Sequence, residues 1–197
     1  MIRNVVLDIS NVMVDYDFKG FLAGKGFGTD MIKRLAKASI MSPYWDEFDK
    51  GLLTEEEAMN EFINIDPEIA NELHIAFDSI EGMLLERDYA VEWVIDLKKR
   101  GYRVYYLSNY SKKAYTECND TLEFTKYADG GILSFREGVI KPDPEIYNRL
   151  VERYNLIGEE CVFIDDSAEN VKTAVSLGWK GIVFESREQV EDELAKL

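Results

Sequence analysis

The sequence predicts an α/β protein: a Rossmann-like parallel sheet with helices on both faces, plus an inserted helical cap. Three observations carry this reading. Short β-rich runs recur and end in polar residues, helical patterns with recognisable stops alternate with those runs, and one stretch near the N-terminus breaks the alternation.

Asn4 to Leu7 leads straight into Asp8, Val104 to Leu107 into Ser108, and Val162 to Ile164 into Asp165. Two fainter strand candidates are Gly131 to Phe135 and Gly181 to Phe184. Helical patterns cover Asp88 to Arg100, stopped by Gly101, then Pro144 to Tyr154, Ala168 to Leu177, stopped by Gly178, and Arg187 to Lys196. Strands alternating with helices imply a parallel sheet covered on both faces. In such sheets ligands bind beyond the carboxyl ends of the strands, where the polar residues fall.

From about Tyr16 to Glu86 no strand-like run is apparent. Thr54 followed by Glu57 is a capping box that opens a helix to about Ile63, and Pro67 opens another to about Ile80. The expected division is therefore a core domain of 1–15 and 87–197 and a helical cap domain of 16–86. Gly24-Lys25-Gly26-Phe27-Gly28 follows no strand and reads as a connection, not a dinucleotide loop.

The 197 residues are 46% hydrophobic, with 10 Phe, 11 Tyr and 3 Trp, enough for a packed core. An excess of 38 acidic over 23 basic side chains, formally −15, repels polyanions and argues against a nucleic-acid partner. Apolar runs fall far short of the roughly 20 residues a membrane helix needs. Two cysteines, Cys118 and Cys161, make no disulfide framework and no zinc spacing, and the first residues read as a strand, not an export signal. The expectation is a cytoplasmic protein without a membrane partner, as a monomer or homodimer, with ordinary buried or half-buried thiols.

Four polar sites stand at strand ends or just before helices: Asp8 in Val-Leu-Asp8-Ile-Ser10-Asn11-Val, Ser108-Asn109, Lys141-Pro142, and Asp165-Asp166-Ser167-Ala-Glu-Asn170. Each alone reads as a helix cap or a solvated loop residue. Together, in this order, they resemble the four motifs of the haloacid dehalogenase superfamily. Gly138 to Tyr147 and the Gly51 to Glu57 segment also resemble its phosphatase-like subgroup with a small helical cap, and Asp8-Ile-Ser10-Asn11-Val-Met-Val-Asp15 is similar to the sugar-1-phosphate phosphatases, which have a small residue at the place of Ser10.

The resemblance implies a magnesium-dependent hydrolase acting on a small phosphorylated molecule, with Asp8 as covalent nucleophile. A phosphate dianion repels an attacking carboxylate, so Asp8 needs a bridging cation and further positive charge nearby. Asp166 supplies a second carboxylate for Mg2+, a hard ion that favours oxygen, and Asp165 ligates directly or through water. The resemblance adds the backbone carbonyl of Ser10 as a ligand and carries substrate binding onto Ser108, Asn109 and Lys141, the last also holding nucleophile and phosphate together. Asn170, one helical turn beyond Asp166, orients the metal shell by hydrogen bonding.

One position departs from the pattern. The superfamily's phosphatases usually carry a second aspartate two residues after the nucleophile, which protonates the leaving group and later activates water. Here it is Ser10, too weak an acid or base for that work. Asp15 and Asp17 are the candidates for a substitute proton donor. The alternatives are a 2-haloacid dehalogenase-like hydrolase, for which Arg34 is the only clear halide-binding candidate in the cap, and a non-catalytic binding protein of the same fold. His74, the only histidine, sits in a helical stretch and is expected to be half-buried, away from any Ser-His-Asp arrangement. Tyr44, Trp45 and Phe48 are expected to pack within the cap, with lining of a sugar pocket as the other reading.

Overall fold

A computed structural model describes residues 1–197. In chain order the elements are β1 (Asn4–Leu7), β2 (Val14–Tyr16), α1 (Phe18–Gly24), α2 (Thr29–Ala38), α3 (Pro43–Asp49), α4 (Glu55–Ile65), α5 (Ala70–Phe77), β3 (Leu84–Glu86), α6 (Ala90–Lys99), β4 (Arg103–Ser108), α7 (Lys112–Glu117), β5 (Gly130–Leu133), α8 (Pro144–Tyr154), β6 (Cys161–Asp165), α9 (Ala168–Ser176), β7 (Lys180–Val183) and α10 (Arg187–Leu194).

Five strands make one parallel sheet in the order β5-β4-β1-β6-β7. β1 is central, with Val5 opposite Val104 on one side and Val162 on the other. Its four residues are all buried, because helices cover both faces. Val5 and Leu7 face the larger apolar cluster with Trp93 and Leu97 of α6 and Val190 of α10. Val6 faces the other cluster, with Ile146 and Leu150 of α8 and Val171 of α9. The chain winds from β1 outward through β4 and β5, then returns to place β6 on the opposite side of β1. This reversal opens a crevice at the carboxyl ends of β1, β4 and β6.

Between β2 and β3 lie only helices, α1 to α5, whose apolar faces join the larger cluster. Thr54 and Glu57 form both halves of the expected capping box, so α4 starts where its sequence says it should. The residues on either side of this segment pair as a two-stranded antiparallel ribbon, Val14 with Glu86 and Tyr16 with Leu84. That corrects the reading of 16–86 as free of strands; with three residues on each side, the alternation is too short to stand out.

Other boundaries move as well. Pro67 opens a single 3₁₀ turn, Pro67–Ile69, and the helix that follows ends at Phe77, short of Ile80. The strand expected over Gly131 to Phe135 is Gly130–Leu133, followed by a 3₁₀ turn. α7 and the 3₁₀ stretch Asn119–Lys126 had no periodicity long enough to announce them. His74 is exposed on α5 and not half-buried, because Leu73, Ala76 and Phe77 form that helix's buried face. Cys118 and Cys161 are both buried free thiols. No helix is long and apolar enough to cross a membrane.

Two contacts set the helical segment over the strand ends. The Ser134 hydroxyl, just past β5, donates to the Asp49 carbonyl at 2.6 Å and accepts from the Tyr110 amide at 2.9 Å. Gly51, with φ +71°, lies so close to the core that a Cβ there would stand 2.4 Å from the Phe135 carbonyl oxygen. Both the left-handed backbone and the contact require glycine.

Candidate active site

Asp8 follows the last residue of β1, so its side chain leaves the sheet where the strand's hydrogen bonding stops. Lys141 Nζ lies 2.7 Å from Asp8 Oδ1 and 2.7 Å from Asp165 Oδ2, and all three side chains are almost completely removed from solvent. Lys141 also stands over the Phe163 ring, 5.4 Å from its centroid. Removing one member of such a buried group leaves an uncompensated charge, at a cost of about 3–5 kcal/mol.

The cluster is held by bonds that the sequence does not advertise. The Asn109 side chain grips the Lys141 backbone from both sides, accepting from its amide at 2.7 Å and donating to its carbonyl at 3.0 Å. Asp165 accepts from the Ser167 amide at 2.8 Å and from Asn170 Nδ2 at 3.1 Å. Asn170 therefore steadies Asp165 and not Asp166, one helical turn away. Asp166 is exposed and accepts from Asn11 Nδ2 at 2.8 Å. Asn11 takes a positive φ of 60°, a conformation asparagine tolerates better than most residues.

Carboxylate oxygens of Asp8, Asp165 and Asp166 lie within 4.8 Å of one another. Three carboxylates around one ammonium leave a deficit of positive charge. Burial pushes the Asp8 carboxyl up, against the pull of Lys141 and with the repulsion of Asp165, to about 7. Lys141 is held protonated: burial lowers it, but Asp8 and Asp165 outweigh that and raise it. A hard divalent cation with oxygen preference fits this donor set and would supply the missing charge.

The chain matches the family model described as haloacid dehalogenase-like hydrolase over residues 2–178. The chain belongs to the haloacid dehalogenase-like hydrolase family. Among curated relatives, it is 32% identical over 158 residues to flavin mononucleotide hydrolase 1 of Arabidopsis thaliana, covering 78% of this chain and 61% of that protein. It is 27% identical over 191 residues to D-ribitol-5-phosphate phosphatase of Bacteroides thetaiotaomicron, covering 91% and 90%. It is also 25% identical along its whole length to drimenol cyclase drtB of Aspergillus calidoustus, of which it spans only 37%. A HAD family enzyme from Bacteroides thetaiotaomicron, solved with magnesium and inorganic phosphate, shares the fold with a TM-score of 0.74 over 96% of this chain and 99% of that one, at 22% identity. The L-2-haloacid dehalogenase of Xanthobacter autotrophicus shares it at 0.64 over 100% and 83%, at 16% identity.

In this hydrolase the four motif segments converge as their order implied. Ser108 is buried at the end of β4, where its hydroxyl donates to the Asn109 carbonyl at 3.4 Å and its proximity favours the ionised Asp8 carboxylate. Ser10 lies half-buried in the turn after Asp8. Asp15 and Asp17 do not join the group. Asp15 is exposed and paired with Arg87 at 2.8 Å, and Asp17 is exposed and caps α1 through the Gly20 amide at 2.8 Å. Arg34 of α2 is bonded to Asp66 at 2.7 Å and Glu68 at 2.9 Å just after α4, so its charge is spent there.

Beside the cluster a cavity of about 260 Å³ runs between the helical segment and the strand ends. Ser10 and Asn109 line it from the sheet side, and Trp45, Phe48 and Asp49 line it from α3. Trp45 also packs within the helical segment against Phe62 and Phe77, with centroids 6.0 Å away in each case, so it both lines the cavity and belongs to the core of that segment. Tyr44 does not reach the cavity. Lys113, buried at its edge, is bonded to Glu55 of α4 at 2.9 Å and to Glu117, a tie between helical segment and core. The sequence reading missed Asp49 and Lys113, because nothing in their local pattern separates them from ordinary helix residues.

Proposed function

We propose that this hydrolase is a magnesium-dependent phosphatase acting on a small phosphomonoester through an aspartyl-phosphate on Asp8. The observation that carries the reading is Asp8 held against Lys141 in a nest of oxygen donors at the crevice of a parallel sheet. Support comes from relatives named as a flavin mononucleotide hydrolase and as a D-ribitol-5-phosphate phosphatase.

In this reading Asp8, Asp166, Asp165 and the Ser10 carbonyl would hold Mg2+, which shields the phosphate and so permits an anionic nucleophile to approach. Asp8 attacks phosphorus from a position fixed by Lys141. Lys141 offsets the charge that builds on the phosphoryl oxygens, and Ser108 donates to one of them. Asn109 keeps Lys141 in place, and Asn11 and Asn170 orient the two other carboxylates. The 16–86 segment acts as a cap that closes over the substrate and keeps bulk water out.

Arg34, consumed by Asp66 and Glu68, speaks against halide capture. The test is phosphate release across sugar phosphates, nucleotides and acyl phosphates, with and without magnesium, beside halide release from small 2-haloacids. Magnesium-dependent phosphate release without halide release is expected; the reverse would overturn the reading.

A further inference from the structure

Asp49 is the only carboxylate among the 15 residues that line the 260 Å³ cavity, and Ser10 lines the same cavity from the opposite wall. We propose that Asp49, carried by the cap, is the general acid and base of this enzyme, in place of the carboxylate that position 10 lacks. The proposal rests on the phosphatase reading above.

The other acids near the crevice are occupied. Asp165 is bonded to Lys141, the Ser167 amide and Asn170, and Asp15 and Asp17 are turned to solvent. Asp49 is fixed relative to the core even though it belongs to the helical segment. Its carbonyl is held by Ser134, Ser134 is held by the amide of Tyr110, and Tyr110 follows Asn109, which grips Lys141. Two residues on, Gly51 packs against the Phe135 carbonyl. The end of α3 is thus tied to the same strand ends that place the nucleophile.

The surroundings suit the task. The wall around Asp49 is aromatic and aliphatic, with Tyr16, Trp45 and Phe48 beside it. Asp49 is half-buried, and its loss of water and the neighbouring Asp46 push its carboxyl up to about 7, against the pull of the Trp45 side chain. Asp49 in turn helps to raise the Tyr16 hydroxyl. Lys113, the only cation lining the cavity, is bonded to Glu55 and Glu117. A carboxyl poised near neutrality can give a proton in one step and take one in the next.

In the first step an Asp8 oxygen forms a bond to phosphorus while the bond from phosphorus to the leaving oxygen breaks. That electron pair stays on the leaving oxygen, which takes the Asp49 proton and departs as the alcohol. In the second step the Asp49 carboxylate takes a proton from water as the water oxygen bonds to phosphorus. The bond from phosphorus to the Asp8 oxygen breaks, returning the Asp8 carboxylate, inorganic phosphate and a protonated Asp49.

The experiment uses Asp49→Asn with magnesium and three probes: p-nitrophenyl phosphate, phenyl phosphate and D-ribitol 5-phosphate. With p-nitrophenyl phosphate, whose leaving group needs no proton, the variant should release one p-nitrophenolate per enzyme at near the wild-type rate. Turnover should then continue about 10²–10⁴-fold more slowly, as water lacks its base. Phenyl and ribitol phosphates should show no burst. Adding Ser10→Asp to Asp49→Asn should restore turnover, which it could not do for a variant that had merely lost its fold. Thermal unfolding checks the fold directly, and if the amide does not fold, Asp49→Glu is read instead, with the same burst and a milder slowing of about 10-fold. Unchanged kcat on all three probes, or a rise in KM alone, would overturn the proposal. A wild type that releases phosphate from none of them would instead overturn the phosphatase reading.

Discussion

The two walls of the crevice are made on opposite terms. On the sheet side, Asp8, Lys141 and Asp165 pack three charges into a space from which water is nearly absent, and each is held by at least one further charge or hydrogen bond. On the helical side, the wall is aromatic and aliphatic and carries one carboxylate, Asp49. Loss of water raises the carboxyls of buried Asp8 and half-buried Asp49, yet only Asp8 has a lysine pulling it back. A buried carboxylate bonded to an ammonium is poised to act as a charged group, while one surrounded by rings is poised to exchange a proton. The proposed division of labour between nucleophile and acid therefore rests on what each wall is made of.

Four measurements would break or sharpen that contrast. Asp8→Asn keeps the size of the side chain but cannot attack phosphorus, so phosphate release should fall by about 10⁴-fold or more with the fold retained by circular dichroism. Turnover at the wild-type rate would remove the covalent step.

Asp166→Ala should weaken magnesium binding by at least about 10-fold, and Glu169→Ala should leave it unchanged. Glu169 is exposed in the first turn of α9 and lies outside the carboxylate cluster. Equal affinities by calorimetry would take Asp166 out of the metal site.

In the wild-type background, Ser10→Asp should change turnover less than about 10-fold on any substrate, since Asp49 already moves the proton. A large gain confined to substrates with poor leaving groups would show that the crevice lacks an acid.

The smallest expected effect is on stability. A carboxyl whose proton is held to about 7 in the folded chain but released near 3.8 in the unfolded chain stabilises the fold fully below about 4, and that contribution is lost as pH rises through 7. Thermal unfolding in magnesium-free buffer should therefore show Tm falling between those limits, and Asp49→Asn should make the fall shallower. Because metal binding favours ionised Asp8, adding magnesium should remove the Asp8 share of the slope and leave that of Asp49. A slope untouched by Asp49→Asn would mean that its carboxyl is ionised throughout.

The sequence by itself determined the sheet, its covering helices and the segments that meet at its carboxyl edge. Asp8, Ser108 and Asp165 could be read because a polar residue at the end of an apolar run marks a strand terminus, and parallel strands bring their termini to one edge. The α4 start was legible for a similar reason: Thr54 and Glu57 satisfy each other within one turn, so the signal is local. Only the tertiary structure decided what those residues bond to. Asn109 holds a backbone 32 residues away, Asn11 meets Asp166 at a separation of 155, and Ser134 meets Asp49 at 85. Asp49 shows the limit most clearly. As sequence it is one acid among 38, at the end of a short helix. It is half-buried, and that loss of water, with the push it gives the carboxyl, comes from packing α3 against strand ends distant along the chain. Hydrophobic periodicity and capping are properties of neighbours in sequence, whereas desolvation depends on whatever the fold places alongside.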